Sequence, residues 1–430
     1  MPTSRRAFTA AAVAALVLPL SACGSGGDGG GPADASGKVE GDITFQTWNL
    51  RANFKSYFEG VIAGFEEKYP GTHVKWIDQP AEGYADKISA DAAGGTLPDV
   101  VNVSPDLVAP LAEAGLALDL DKAAAKYAPE YLPDAWASHR IPGTSGTYAF
   151  PWYLNTGPLF YNKSLFEKAG LDPDQPPKTY DELFADALQM AKRSDGKVAT
   201  LANVPTIEDF GRYGVQLMDK KGTGFAFDDA KGVELLTKYK ELYDAKALDP
   251  QALTATPESS GRKFLTGAVA MNPGSALDLG NFKKQAPGLY KNIGITDQIT
   301  STGHVNMYVM GVMVNSRTRH TPAAVAFAHY VTDARNQMSF AKKVAIFPST
   351  AGSLDDPYFT KEDGTDETRV RIAAAKSLKN AVNYTPVLFS EQMKTALRNE
   401  VAKALQGKES PGTALDNAVK ACDRLLRQQG

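Results

Sequence analysis

Cysteine is almost absent from this chain, which excludes a fold stabilised by a framework of disulfides. Cys23 and Cys422 are the two cysteines in 430 residues, whereas small disulfide scaffolds are dense in them. Cys422 lies on the apolar stripe of a helical pattern near the C-terminus, and we expect it to be buried, as free cysteines usually are. The five histidines are scattered without the spacing of metal ligands, so no metal site is predicted.

An excess of charge of either sign is also missing. The formal net charge is −3, and lysines and arginines are spread along the chain rather than clustered. This distribution argues against nucleic-acid binding and against a patch for anionic membranes. The sequence has no apolar run that could cross a bilayer core of about 30 Å as a helix. The body of the chain is therefore expected to be globular, with roughly two or three domains.

Catalytic and cofactor motifs are missing as well. The chain has no His-Glu-x-x-His, no Cys-x-x-Cys and no nucleophile elbow, so we expect neither an enzyme nor a bound cofactor. A secreted glycosidase is the alternative from another class. It would need a buried acid with a raised pKa beside a second carboxylate, and Asp106 and Glu208 are the acids that could serve.

What the chain does have is an export signal at its amino terminus. Arg5 and Arg6 precede an apolar run from Ala10 to Leu20, which is too short for a membrane span. The tetrapeptide Leu-Ser-Ala-Cys that ends at Cys23 resembles the lipobox of bacterial lipoproteins. This resemblance implies that residues 1–22 are removed and that the cysteine becomes the lipid-modified first residue. The paired arginines also resemble a twin-arginine signal, so both the twin-arginine and the general export route stay open.

A short linker follows the lipobox. Residues 24–37 are Gly, Ser, Asp, Ala and Pro without a large apolar side chain, so they cannot bury a core. We therefore interpret residues 23–39 as a lipidated cysteine and a flexible tether. The protein is expected to be anchored by Cys23 to the outer face of the cytoplasmic membrane.

The body of the chain begins with alternating strands and helices. Strand patterns at 43–48, 74–77 and 99–103 are separated by helical patterns at 54–69 and 84–93. Because parallel strands need helical crossovers between them, this βαβαβ order favours a mainly parallel sheet with helices on both faces.

Aromatic and amide side chains recur where the predicted strands end, and ligands of open α/β sheets bind at such carboxyl ends. Aromatic rings can pack against the C–H faces of a sugar, while Asp, Asn and Ser can fix its hydroxyls. Trp48 and Trp152 are expected to supply stacking faces, because both lie beside polar residues at chain crossings. The other candidates from these strand ends are Asn49, Ser104, Asp106, Tyr153, Asn155, Asn272, Gly274 and Ser275.

A longer stretch resembles a known family. Residues 146–171 contain Phe-Pro-Trp-Tyr-Leu-Asn-Thr-Gly-Pro-Leu-Phe-Tyr-Asn-Lys, and Pro-Pro at 176–177 precedes a helix that opens with Thr179-x-x-Glu182. This closely resembles the hinge region of the extracellular solute-binding proteins of carbohydrate ABC importers, the group that includes maltose-binding protein. Four further segments resemble the family, at 65–71, 97–100, 264–271 and 404–415.

The resemblance implies an α/β fold of the two-lobe, type II periplasmic-binding-protein kind. Each lobe would be a mainly parallel sheet flanked by helices, and hinge crossings would join the lobes. Lobe 1 would comprise residues 40–151 and 304–346, and lobe 2 residues 152–303 and 347–430. By similarity, further ligand contacts would come from Glu208, Phe210, Tyr213 and Tyr308.

The same resemblance implies a function. A sugar or oligosaccharide would be captured between the lobes by hinge closure and delivered to ABC permease subunits in the membrane. We expect a monomer that binds no nucleic acid and needs no cofactor or metal.

Two departures from the family leave the ligand class open. The family often has a tryptophan shortly after the segment 264–271, and residues 272–276 have none; residues 306–310 also lack the family's glycine-rich start of a strand. A binder of glycerol 3-phosphate or its diesters therefore stays open as an alternative. It would need a cationic or helix-N-terminal phosphate cradle, for which Arg51 and Arg212 are candidates.

Overall fold

The described residues, 35–142, 144, 146–254 and 257–429 of the computed structural model, form nine strands and eighteen α-helices. The strands are β1 (Gly41–Trp48), β2 (Thr72–Gln79), β3 (Val100–Val103), β4 (Phe150–Asn155), β5 (Leu159–Asn162), β6 (Met271–Pro273), β7 (Ile293–Thr296), β8 (Tyr308–Val314) and β9 (Phe347–Pro348). The predicted signal peptide and Cys23 lie outside the described residues.

Helices fill most of the connections. They are α1 (Arg51–Lys68), α2 (Tyr84–Gly94), α3 (Pro105–Glu113), α4 (Leu120–Ala123), α5 (Pro133–Ala137), α6 (Lys163–Lys168), α7 (Tyr180–Ser194), α8 (Ile207–Tyr213), α9 (Ala230–Asp244), α10 (Pro257–Leu265), α11 (Ala276–Gln285), α12 (Pro287–Tyr290), α13 (Thr321–Thr332), α14 (Ala334–Ala341), α15 (Pro357–Thr360), α16 (Asp366–Leu378), α17 (Glu391–Leu405) and α18 (Pro411–Gln429). Among the helices of the described chain, none is both long and apolar enough for a membrane span.

The larger sheet has six strands in the order β2-β1-β3-β8-β4-β9. β1 is parallel to β2 and β3, as the βαβαβ pattern predicts. β8 is antiparallel to both β3 and β4, so β4 runs in the same direction as β3. The edge at which β1, β3 and β4 end is called the carboxyl edge below, and the opposite edge is the amino edge. The chain leaves this sheet through β4 and returns through β8 at the carboxyl edge.

The smaller sheet has three strands in the order β6-β5-β7, and β5 is antiparallel to both neighbours. Parallel bridges at Ala199–Val269 and Leu201–Leu248 extend the same half of the molecule. The predicted α/β class is thus confirmed, although the sheets are mixed rather than mainly parallel. The reason is that β5 and β8 each follow a segment that crosses from one sheet to the other. A strand that enters a sheet in this way can run antiparallel to its neighbours, because no helical crossover precedes it.

Each sheet has its own core. One core packs α1 and α13 on the larger sheet around Phe45, Phe58 and Phe327. The second packs α7, α9, α17 and α18 together and includes Cys422, which is fully buried as predicted. A smaller cluster packs residues 354–381 against β4 and β8. The proposed lobe boundaries stay a prediction.

The sequence prediction for Trp152 is wrong in one respect, because its side chain lies in the core of the larger sheet. It is 0% exposed, and its ring centroid lies 5.8 Å from that of Phe58 and 5.7 Å from that of Phe340. Its indole N–H has no hydrogen-bond partner among the described residues. A ring enclosed by other rings has no free face for a ligand.

Replacing Trp152 by alanine should lower the free energy of unfolding by about 3–5 kcal/mol, because the change opens a cavity in an aromatic core. Denaturant unfolding measures this directly. Trp48→Ala is the matched control, since Trp48 is partly exposed where β1 ends, and it should destabilise the protein much less. Equal losses in the two variants would contradict the burial of Trp152.

Candidate functional site

Four of the predicted site residues meet at the carboxyl edge of the larger sheet. β1 ends at Trp48, and Ser104 follows β3. β4 ends at Asn155, which pairs with Tyr308 at the start of β8. Strands that run in the same direction end at the same edge of a sheet, so the backbones of these four residues lie along one edge.

Trp48 forms one wall at this edge together with Tyr84. Their ring centroids are 5.0 Å apart, and Trp48 is partly exposed while Tyr84 is buried. Burial raises the pKa of Tyr84 far above its ordinary value, so the phenol stays neutral and donates to the carbonyl of Asn102 at 2.7 Å. Asn49 follows with φ of 53°, a left-handed conformation that asparagine adopts more readily than most residues. This turn leaves the indole at the surface of the edge.

The start of α3 supplies two further polar groups. Ser104 occupies the N-cap position without a side-chain capping hydrogen bond, and Asp106 lies in the first turn. An acid at that position is stabilised by the positive end of the helix dipole. Both residues are partly exposed, so they are placed where a polar ligand could contact them.

α8 has one buried face and one partly exposed face, and the residues predicted to contact a ligand lie on both. Ile207, Phe210 and Tyr213 are buried in the second core, at the spacing of one helix face. Glu208 and Arg212, one turn apart, lie on another face and are only partly buried. The prediction that Phe210 and Tyr213 contact a ligand is therefore wrong, because both rings pack into the core.

Arg212 is a paired cation. Its Nη2 lies 2.6 Å from Oδ1 of Asp209, and its Nη1 donates to the carbonyl of Ile299 at 3.0 Å. Asp209 also closes the capping box of α8 with Thr206. The Nε of Arg212 is buried and has no partner within the described part of the chain. The positive charge of Arg212 is therefore largely neutralised, and its Nε–H is the one donor of the group left unused.

Tyr308 is the most exposed large aromatic residue of this region, with 53% of its surface accessible. Partial desolvation of its hydroxyl and the charge of Glu208 raise the pKa of Tyr308, while Arg212 opposes the shift. The phenol of Tyr308 is therefore neutral and lies within electrostatic range of Glu208 and Arg212 on α8.

Sequence reasoning missed the segment after α16, which also reaches this region. The hydroxyl of Thr385 donates to Oε1 of Glu208 at 2.6 Å, and the hydroxyl of Tyr384 lies 2.6 Å from that of Thr302. A Cβ at Gly211 would overlap the Tyr384 ring, so only glycine permits this approach. The run Asn-Tyr-Thr-Pro between two helical patterns was the available signal.

The same segment joins the two halves of the site. Val387 and Leu388 belong to the apolar cluster that contains Tyr84, and Trp48 packs against that cluster. Phe389 belongs to the second core. Residues 384–389 thus run from the α8 side to the Trp48 side.

Hydrogen bonds connect the chain crossings next to this site. The amide of Gln298 donates to Oγ1 of Thr156 at 2.9 Å and accepts from the backbone N–H of Asn306 at 3.0 Å. Thr156 donates to the carbonyl of Asn306 at 2.9 Å. The amide oxygen of Asn306 accepts from the backbone N–H of Tyr384 at 3.0 Å. Three crossing segments are thereby tied together.

The remaining candidates have local roles. Tyr153 packs on the core of the larger sheet beside Trp152, and burial raises the pKa of its hydroxyl to about 12. Asn272 is buried, and its amide donates to the carbonyl of Pro273 at 2.6 Å. Ser275 caps α11 through Asp278, and Gly274 donates to the carbonyl of Pro158 at 3.1 Å. These contacts do not bring Asn272, Gly274 or Ser275 to Trp48.

The guanidinium of Arg51 is engaged with Trp76. It lies 4.2 Å from the centroid of the Trp76 ring and donates to the Trp76 carbonyl at 2.6 Å. β2 is the edge strand of the sheet, so this pair lies on the outside. Throughout the described ranges, no group of three or more His, Cys, Asp or Glu side chains could bind a metal ion.

The chain is similar to curated proteins that bind glycerol phosphate. The sn-glycerol-3-phosphate-binding periplasmic protein UgpB of Yersinia pseudotuberculosis is 27% identical over 330 residues, which cover 69% of this chain and 71% of that protein. UgpB of Escherichia coli is 25% identical over 324 residues, covering 68% and 72%.

Solved structures share the fold. A putative oligosaccharide periplasmic-binding protein from Synechococcus has a TM-score of 0.75 at 24% identity, covering 90% of this chain and 99% of that one. The GacH receptor of Streptomyces glaucescens, solved unliganded and with acarbose, has a TM-score of 0.66 at 25% identity, covering 91% and 99%.

The family itself is fixed by a sequence profile. The profile described as bacterial extracellular solute-binding protein matches residues 51–338, which include β2 to β8 and α8. The resemblance inferred from the hinge sequence is therefore confirmed. This chain belongs to the family of bacterial extracellular solute-binding proteins.

Proposed function

We propose that this chain is the receptor of an ABC importer for a neutral sugar or oligosaccharide. The ligand would bind at the carboxyl edge, between Trp48 on one side and α8 with Tyr308 on the other, and pass unchanged to permease subunits in the membrane. The observation that carries the proposal is the pairing of Arg212 with Asp209 beside exposed aromatic and neutral polar groups.

The electrostatics of the region favour a ligand without net charge. Arg212 is neutralised by Asp209, Glu208 adds a carboxylate on the same helix, and Asp106 adds another at the start of α3. The N-termini of α8 and α11 are closed by capping boxes that use Asp209 and Asp278. A phosphate placed at either helix end would meet a carboxylate instead of free N–H groups.

The groups that remain suit sugar hydroxyls. Carboxylates such as Glu208 accept hydrogen bonds, and hydroxyls such as those of Thr385 and Ser104 both donate and accept. Tyr308 and Trp48 offer aromatic surface for C–H faces. The likeness to the acarbose-binding GacH receptor agrees with this ligand class.

A glycerol phosphate diester is the second candidate. The curated relatives bind sn-glycerol 3-phosphate, and Arg212 has an unused buried Nε. One donor of a paired guanidinium is a weaker phosphate site than a free cation, which is why the sugar is preferred.

Calorimetry with a ligand panel tests the proposal. We expect one neutral mono- or oligosaccharide to bind in the micromolar range or tighter, which corresponds to about 8 kcal/mol, and glycerol 3-phosphate and its diesters not to bind. Binding of the phosphate esters alone would replace the sugar by the second candidate. New reducing ends that disappear in Glu208→Gln or Asp106→Asn would instead identify a glycosidase.

Tyr308 provides the sharpest variant of this site. Tyr308→Ala should weaken sugar binding by about 1–3 kcal/mol, roughly ten- to hundred-fold, with a nearly unchanged melting temperature because the ring is exposed. Tyr308→Phe keeps the ring and should retain most of the affinity. Leu188→Ala, at another exposed apolar residue, is the control. Full affinity in Tyr308→Ala would remove Tyr308 from the site.

We also propose that Cys23 carries the lipid that retains the exported protein at the membrane. Cys23→Ala should release the protein to the medium or leave it unprocessed, because the lipobox pattern loses its acceptor thiol. Fractionation of cells with and without detergent measures this. Mature protein that still needs detergent for extraction would show that another feature anchors it.

A further inference from the structure

A second pocket lies at the amino edge of the larger sheet, opposite the candidate sugar site. Its volume is about 310 Å³, within the range of small-ligand sites. Asp42 near the start of β1, Asp99 just before β3 and the loop that follows β8 line it. Sequence analysis gave no reason to expect it, because its charged residues come from three distant parts of the chain.

The loop after β8, residues 315–320, is fixed by a dense set of hydrogen bonds. Asn315 donates from its backbone to the carbonyl of Asp99 and from its side chain to that of Leu97, both at 2.9 Å. The carboxylate of Asp99 accepts from the hydroxyls of Thr318 and Thr44 at 2.5 and 2.7 Å. One oxygen of Asp99 thus positions the loop, and the other ties Asp99 to β1.

Two guanidinium groups on this rigid loop have no protein partner. Arg317 and Arg319 are exposed, and neither side chain forms an ion pair or hydrogen bond with any residue in the described ranges. Asp42 lines the same pocket and is likewise without an ion pair among those residues. The pocket is therefore lined by two cations from one loop and by one acceptor from β1.

We propose that this pocket binds the headgroup of a membrane phospholipid. Arg317 and Arg319 would bind the phosphate diester, and guanidinium groups suit phosphate oxygens because they donate in a planar fork. Asp42 would accept a hydrogen bond from a hydroxyl or ammonium group of the headgroup. A phosphate diester with such a donor matches both charges of the pocket.

The position of the amino-terminal segment argues for a lipid as the source of the phosphate. A Cβ at Gly37 would lie 3.4 Å from Pro322, and Gly41 lies against His320 of the pocket loop. The eleven residues 24–34 between Cys23 and the described chain can reach at most about 40 Å. This step rests on the proposed lipidation of Cys23, which would keep the pocket close to headgroups and make even weak binding effective.

Occupancy of this pocket would set the orientation of the receptor. β1 has eight residues, so its two ends lie about 23 Å apart. With the amino edge on the bilayer, the sugar site at the carboxyl edge faces the medium. The receptor would then collect solute in this resting position and leave it to reach the permease.

The test uses the chain from residue 24 onward, which contains every described strand and helix. Its binding to vesicles of phosphatidylcholine mixed with phosphatidylglycerol or phosphatidylethanolamine is compared with binding to phosphatidylcholine alone, at low ionic strength. The double variant Arg317→Gln with Arg319→Gln should bind about thirtyfold more weakly, since each basic side chain near an anionic surface contributes about fivefold. Asp42→Asn should reduce the preference over phosphatidylcholine.

The control is Lys192→Gln with Arg193→Gln, an exposed basic pair at the end of α7. It removes the same charge elsewhere and should leave vesicle binding unchanged. Equal losses in both double variants, or no binding that depends on the headgroup, would overturn the proposal. A melting-temperature rise with soluble glycerol 3-phosphate that needs Arg317 and Arg319, without vesicle binding, would assign the pocket to a free phosphate ester instead. Sugar affinity should be equal in all variants, so a failure here is separable from a failure of the sugar site.

Discussion

The antiparallel pairing of β4 with β8 is the constraint on which the rest of the structure depends. It makes the chain leave the larger sheet and return to it at the carboxyl edge, with Asn155 opposite Tyr308. Thr156, Gln298 and Asn306 then tie the two crossings together by hydrogen bonds. The two crossings and the ends of β1 and β3 lie at this same edge. The candidate site therefore forms where the described chain passes between the larger and the smaller sheet.

The charge of the site follows from how its helices are capped. Asp209 serves both the N-terminus of α8 and the guanidinium of Arg212, whose pKa stays high through its anionic neighbours although burial opposes it. One carboxylate thereby removes two features that would attract a phosphate. The candidate site differs in this respect from the pocket at the amino edge. In that pocket, two guanidinium groups have no ion-pair partner among the described residues. The same electrostatic reasoning supports both proposals, a neutral solute at the carboxyl edge and a phosphate group at the amino edge.

Sequence patterns predicted the parallel half of the larger sheet and the hinge sequence, because both depend on local periodicity and on contiguous motifs. The wrong site predictions all concern which face of a strand or helix is buried. Phe150, Trp152 and Leu154 recur at every second position of β4 and are all buried, so this alternation indicates a core face for Trp152, against the prediction made from its place at a chain crossing. In α8, two turns of helix are too short to reveal which face is buried, and Phe210 and Tyr213 were assigned to the wrong one. Tyr384 and Thr385 reach the site by long-range packing against Gly211 and Glu208, and the local run Asn-Tyr-Thr-Pro does not specify these partners.

Solution scattering tests the central claim most directly, because a receptor of this class traps its ligand by closing its lobes about a hinge. The radius of gyration of the protein would be measured without ligand and with a saturating concentration of the sugar identified by calorimetry. The account predicts a smaller radius with sugar, and no such change with a non-binding sugar of the same size. An unchanged radius at full saturation would contradict closure around a site between the two sheets.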